Sequence, residues 1–273
     1  MSRNDVDPFL LEVLKNGLDT IADEMALVTM KTAYSGIVRD SMDFSTAVCD
    51  AEGQTLAQGL TTAMHLGSFY DAMRCLITTQ QGNIFPDDVF IFNDPYVAAG
   101  QHLPDIYIIK PIFFEERLVA WATTIAHHSD VGGIVPGSNA LGATEIYQEG
   151  IRIPPVKIIE GGKMNAAALD LLLANMRVPE ERLGDLRASI TACRVAEMRI
   201  HEICERHGVD KLLEVVRLDL DRAEARMRAC IASLPDGTSY YEDYLETFIE
   251  GGMRALAEKP PKKPARRRRA ATS

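Results

Sequence analysis

The run IYIIKPIFFEERLVAWATTIAHH, residues 106–128, constrains this chain more than any other stretch. It holds two apolar segments rich in β-branched and aromatic residues, IYIIKPIF and RLVAWATTIAHH, parted only by FEE. Apolar runs of that kind, broken by a short polar turn, read as two buried strands joined in an antiparallel hairpin. With Glu115 and Glu116 at the turn, the numbers of paired residues sum to about 231. Phe114 then faces Arg117 and Asp105 faces Ala126, with His127 one position away, inside the uncertainty of a hairpin register. Asp105 and His127 therefore meet at the open end, and His102, just ahead of Asp105 in GQHLPD, folds over the same point. Cross-strand neighbours lie ~5 Å apart, close enough to share a ligand.

Two imidazoles and a carboxylate form a common open-sided site for a divalent metal. Nitrogen and oxygen donors without thiolate suit Mn, Fe or Zn, and the residue types leave those three open. Asp94, His128, Asp130 and Glu145 are nearby candidates for orienting such ligands or moving protons, with His65 in TTAMHLGS a more distant one. Asp40, Asp43 and Asp50 read as turn and strand-edge carboxylates. A plainer reading of the trio stands beside this one. A His-x-x-Asp pair is common by chance and His127–His128 can simply end an edge strand, so spacing alone does not decide. The Gly- and Pro-rich stretch 131–155, VGGIVPGSNALGATEIYQEGIRIPP, mixes apolar and charged residues as an ordered functional loop does. Its Gly132 and Gly133 allow backbone to approach a ligand closely.

Around the hairpin the pattern is mixed. Residues 8–33 have an amphipathic helical period through Leu10, Val13, Leu14, Leu18, Ile21, Met25 and Val28, with Asp7 as cap and Pro8 in the first turn. FSTAVCD and QTLAQ read as short strands, HLGSFYDAMRCLITTQ as a helix, and PDDVFIFNDP as a turn and strand. From about Ala166 the period is helical, through a long helix starting at Pro179 and ending at Gly208, then a second long helix. YYEDYLETFIEGGMRAL fits either a strand or a short helix. The expected class is α+β: an N-terminal helix, antiparallel strands and hairpins carrying a metal site, then a long-helix C-terminal region. The expected organisation is a mixed metal-binding region over 1–160, a mainly helical region over 161–257 and a basic disordered tail over 258–273.

The net charge of −10 hides an asymmetry. The tail KPPKKPARRRRAATS carries seven basic residues, Lys259, Lys262, Lys263 and Arg266 to Arg269; without their +7, residues 1–258 carry −17. So acidic a body repels phosphates, which makes nucleic acid an unlikely partner except through the tail. Five scattered cysteines without a CxxC pair argue against a disulfide framework and a thiolate zinc site. With no signal-peptide core and no apolar run of membrane length, a cytoplasmic protein with no membrane partner is expected. Phosphate-binding glycine loops, GxGxxG after a strand and GxSxG are all absent, so any nucleotide must be held elsewhere.

Six blocks in order resemble one known family: RDSMDFSTAVCDAEGQTLAQ, MHLGS, NDPYVAAGQHLPD, HHSDVGGIVPGS, TEIYQEGIRIPP and NMRVPEERLGDLRA. Together, with compatible spacing from about Asp7 to about Gly208, they resemble the hydantoinase B/oxoprolinase family, which includes N-methylhydantoinase B subunits and subunits of acetone and acetophenone carboxylases. The resemblance implies a metal held by His102, Asp105 and His127, the same trio the hairpin brings together. It also implies that ATP is bound by a separate actin-like, hydantoinase A-type subunit. The expected activity is ATP-dependent hydrolysis of a cyclic amide such as hydantoin or 5-oxoproline. On that reading His128 and Asp130 are the catalytic candidates, for proton transfer, and His65, Asp94 and Glu145 the candidate substrate-binding groups. The alternatives are an ATP-dependent ketone carboxylase subunit, a truncated non-catalytic metal-binding assembly module, or a nucleic-acid-associated protein acting through the arginine tail. Members of the family run to about twice this length, so a separate chain supplying the C-terminal half is a further expected partner. Ala98 and Ala99 stand where members often have two glycines.

Overall fold

The computed structural model describes residues 7–98, 100–238 and 240–242. A compact unit runs through Met227, and a second, small unit begins at Arg228. The basic tail and most of YYEDYLETFIEGGMRAL lie outside the described residues.

Among the described residues, seven antiparallel strands form one sheet. They are β1 Phe44–Asp50, β2 Thr55–Gln58, β3 Val89–Phe92, β4 Asp105–Phe114, β5 Arg117–His127, β6 Val156–Glu160 and β7 Lys163–Met164, in spatial order β2-β1-β5-β4-β3-β6-β7. The helices are α1 Pro8–Thr32, α2 Gly36–Arg39, α3 Phe69–Thr79, α4 Pro95–Ala98, α5 Ala166–Ala174, α6 Pro179–His207 and α7 Val209–Ala232. This is the α+β class expected from sequence. No described helix is long and apolar enough to cross a membrane.

The hairpin is the centre of the sheet because both of its faces are covered. One face of β4 and β5 gives Ile106, Ile108, Ile112, Ala120 and Ala122 to a core shared with α1 and α6. The other gives Tyr107, Ile109, Trp121 and Ile125 to a core built with Phe69, Met73 and Leu76 of α3. Double coverage explains why these strands read as continuous apolar runs rather than alternating ones. Ala192, Cys193 and Ala196 let α6 lie close to the sheet: the Cys193 sulfur is 3.8 Å from the Ile108 carbonyl and 3.6 Å from that of Ala122. Lys110, buried beneath α6, is neutralised there by Glu197 at 2.9 Å.

The hairpin register differs by one residue from the turn-based expectation. Phe114 pairs with Arg117 and Phe113 with Leu118, but Ile112 pairs with Ala120, so Val119 is an extra residue in a bulge. Beyond the bulge every pair moves by one, and Asp105 lies directly opposite His127 instead of Ala126.

Two smaller differences have simple causes. In α1 the buried stripe includes Leu11 and Ala22, while Val13 is exposed, because Leu11 and Leu14 pack on Val215 of α7. The β6–β7 hairpin is not among the sequence expectations, although VKIIEGGKM contains its signal. Gly161 and Gly162 have φ of 51° and 79°, the left-handed pair that a two-residue hairpin turn demands.

Candidate metal centre

At the open end of the hairpin the side chains of Asp105 and His127 share a face of the sheet, and His102 closes over them from the segment that follows α4. His102 Nε2 is 3.0 Å from Asp105 Oδ1 and 3.1 Å from His127 Nδ1, and His127 Nδ1 is 3.2 Å from the same Oδ1. Three donor atoms thus form a nearly equilateral triangle. Protons cannot satisfy all three edges, since each ring nitrogen carries at most one hydrogen and both carry it toward Asp105 only by facing each other unbonded. A single cation satisfies them together. Ligands of a divalent ion at ~2.0–2.2 Å lie about 2.8–3.6 Å apart across octahedral and tetrahedral arrangements, a range that contains all three edges of the triangle. Within the described residues this is the one His/Cys/Asp/Glu group whose donor atoms converge so closely.

The strand ends hold the trio in place. The His127 N–H donates to the Asp43 carbonyl and the His128 N–H to the Pro104 carbonyl, at 3.0 and 2.8 Å. Asp105 is almost fully buried, whereas about a third of the His102 side chain is exposed, so the site opens to solvent on the His102 side. Burial by itself would raise the Asp105 carboxyl. Hydrogen bonds from His102 and His127 outweigh that and hold it well below the usual carboxylate range. The bond to Asp105 correspondingly raises His102, against its partial burial.

His65 lies beside this triangle, fully buried in the 3-10 turn Ala63–Ser68 ahead of α3. Its Nδ1 is 3.1 Å from Ser45 Oγ, whose hydroxyl donates to the Thr62 carbonyl at 2.6 Å. The Ser45 oxygen therefore accepts from Nδ1–H. The other nitrogen, Nε2, is 3.7 Å from both Asp105 Oδ2 and Asp43 Oδ1 and lacks a hydrogen-bond partner, as does that Asp43 oxygen. Burial lowers the His65 pKa despite the two carboxylates. Asp43, a turn carboxylate by its sequence, thus belongs to the surroundings of the trio. Nothing local marks it, because its neighbour His65 is 22 positions away and is brought to it by the β1 edge.

The other candidates are engaged elsewhere. His128, next in the chain to His127, points to the opposite face, and burial pushes it down to about 4, with Asp185 opposing and Arg182 assisting. Asp130 accepts from the N–H groups of Gly132 and Gly137 at 2.8 Å each and from Arg177 Nη1 at 3.0 Å. Burial would raise the Asp130 carboxyl, and these donors lower it instead. Arg177 also donates to the carbonyls of Gly132, Gly133 and Val135, so the Asp130–Arg177 pair folds the 130–137 loop. Asp94 accepts from the Tyr96 N–H and from Arg152 Nη2 at 2.7 Å. The Arg152 guanidinium stands 5.6 Å from the ring centres of both Tyr96 and Tyr147. Glu145 is exposed and makes a capping box with Gln148.

Comparison with known proteins matches this architecture. The family profile described as Hydantoinase B/oxoprolinase covers residues 7–258. The chain belongs to that family. It is 38% identical over 234 residues to the beta subunit of the caprolactamase of Pseudomonas jessenii, covering 86% of this chain and 40% of the relative. It is 31% identical over 250 residues to a putative D-/L-hydantoinase B subunit of a Pseudomonas species, covering 90% and 42%. The crystal structure of the ATP-dependent caprolactamase from Pseudomonas jessenii superposes with a TM-score of 0.81 at 37% identity, over 88% of this chain and 42% of that one. This hydantoinase B/oxoprolinase chain therefore spans well under half the length of these relatives.

Proposed function

We propose that this chain is the metal-bearing part of a B-type subunit in an ATP-dependent enzyme that hydrolyses a cyclic amide, such as hydantoin, 5-oxoproline or a lactam. The observation that carries the proposal is the triangle of His102 Nε2, Asp105 Oδ1 and His127 Nδ1, with edges of 3.0–3.2 Å, at a solvent-facing strand end. Its support is the family membership and the relatives that are amide-hydrolysing subunits by name.

In this reading His102, Asp105 and His127 hold one divalent ion, of Mn, Fe or Zn type. The ion supplies Lewis-acid polarisation of a carbonyl oxygen. Asp105, kept ionised by its two imidazole neighbours, supplies the fixed negative charge of the site. His65 backs Asp105 and, with the half-buried Asp43, offers a polar wall beside it; we assign both to orienting the ligand carboxylate and the substrate. The Asp130–Arg177 pair shapes the loop that borders the site, and we assign Asp130 to that task rather than to proton transfer. Asn93 builds the root of the segment that carries His102, its amide donating to the Leu103 and Ile151 carbonyls at 2.7 and 3.0 Å, and Asp94 pairs with Arg152 beside it. ATP is bound by a partner of the actin-like A type.

The test is to purify the chain alone and together with the products of neighbouring genes, then measure metal content and ATP-dependent opening of hydantoin, 5-oxoproline and caprolactam rings. One equivalent of divalent metal, with ring opening that appears on mixing, is expected. A chain that holds no metal in any combination would sink the reading.

A further inference from the structure

At the end of β5, two histidines adjacent in the chain serve opposite faces of the sheet. His127 joins the trio on the α3 side. Ala126 packs with Ala188 of α6, and strand alternation places His128 on that same α6 side, almost fully buried. Arg182 and Asp185, in the first turns of α6, are each only 1% exposed.

The contacts of these two residues run in two directions. Arg182 Nη1 donates to Ser129 Oγ at 2.5 Å, and its Nη2 donates to Glu181 and lies 3.8 Å from Asp185 Oδ2. Asp185 Oδ1 accepts the backbone N–H groups of Tyr34 and Ser35, at 2.8 and 3.0 Å, where α1 gives way to α2. Three buried atoms remain without a partner: His128 Nδ1, Arg182 Nε and Asp185 Oδ2. One is a donor, one is an acceptor and the imidazole nitrogen can be either. A single water accepting from Nε–H and donating to the other two would satisfy all three, which is the usual coordination of an interior water.

We propose that His128 Nδ1, Arg182 Nε and Asp185 Oδ2 share one bound water molecule, and that Arg182 and Asp185 are positioning residues for the trio. Arg182 holds the Ser129 side chain, two residues past His127, and Asp185, beside Arg182, holds the α1–α2 junction. The inference rests on the reading of the trio as a metal site, with one metal-independent readout. Groups that hydrogen-bond metal ligands change metal affinity by ~10–100-fold when altered, and Arg182 and Asp185 act one link further out, at the lower end of that range.

Conservative variants of the full chain give the test. Arg182→Lys keeps the charge but loses Nε and the fork, and Asp185→Asn keeps an acceptor for Tyr34 and Ser35. Each should weaken Mn²⁺ and Zn²⁺ binding about tenfold in chelator competition. Each should also move the ring ¹⁵N signals of His127 in the metal-free chain. A high-resolution crystal structure should show a water ~3 Å from the three atoms. If thermal stability falls while metal affinity and the His127 signals stay as in the parent, the two residues are merely structural and the proposal is overturned. The absence of that water from the crystal structure overturns the water site. If the parent chain binds no metal, the trio reading fails, and the metal-free His127 signals alone decide this inference: movement supports it and constancy ends it.

Discussion

Asp105 and His127 are direct cross-strand partners in the central hairpin, with the carboxylate oxygen 3.2 Å from the ring nitrogen. The two side chains come together through backbone pairing, so the site is part of the sheet rather than an attachment to it. His102→Ala or His127→Ala should therefore remove bound metal, read by elemental analysis, while leaving the far-UV circular dichroism of the helices near that of the parent. Full metal occupancy in either variant would show that the trio is not the ligand set.

Asp130→Asn should open the 130–137 loop, seen as faster proteolysis there. Because the folded-state carboxyl is held below its usual value of 3.8, its contribution to stability is present above that value and disappears as pH falls through the folded-state pKa. Parent and variant should then differ by roughly 1–3 kcal/mol near neutrality and converge in acid. An equal gap at pH 7 and below pH 3 in urea titrations would contradict the charge-based account.

Gly133 has φ of 82°, and a Cβ there would sit 2.5 Å from the Gln148 carbonyl oxygen. Gly133→Ala should cost about 1–3 kcal/mol through backbone strain and displace the 145–150 segment. Unchanged denaturation midpoints would mean that the loop accommodates a side chain the geometry forbids.

Trp121 is fully buried between the sheet and α3, and its indole N–H donates to the Ala51 carbonyl at 3.2 Å. Trp121→Ala should cost about 3–5 kcal/mol, measured by chemical denaturation. A loss under 1 kcal/mol would show that the α3 face of the sheet is loosely packed.

The hairpin and its trio were legible because doubly covered strands leave long apolar runs, and because a short polar turn sets pairing to within one residue. The final one-residue step was not legible, since nothing in RLVAW marks Val119 as a bulge. Asp43 was hidden by a different effect: a carboxylate beside a strand start looks like a turn residue unless His65 is known to face it. Arg182 and Asp185 look like ordinary polar positions in PEERLGDLRA, and only the packing of α6 on the end of β5 reveals that they are buried. Asp130 reads from sequence as a proton-transfer candidate, but its partner Arg177 lies 47 positions on, so its use as a loop clamp has no local signal. The α+β class needed no such long-range knowledge, because it follows from the alternation of helical and strand periods along the chain.

The extra residue at Val119 has a reach beyond its own turn. It acts as a vernier for the far end of the hairpin: whether Val119 is bulged or paired moves every later pair by one. Were Val119 paired instead of bulged, Asp105 would face Ala126 and His127 would fall to the other side of the sheet, whereas losing Val119 together with its bulge would keep Asp105 opposite His127. A change of strand length beside the exposed turn at 115–117 that no bulge absorbs would thus be felt at the Asp105–His127 end. The length of this turn region is thus bound to the alignment of Asp105 and His127 at the opposite end of the strands.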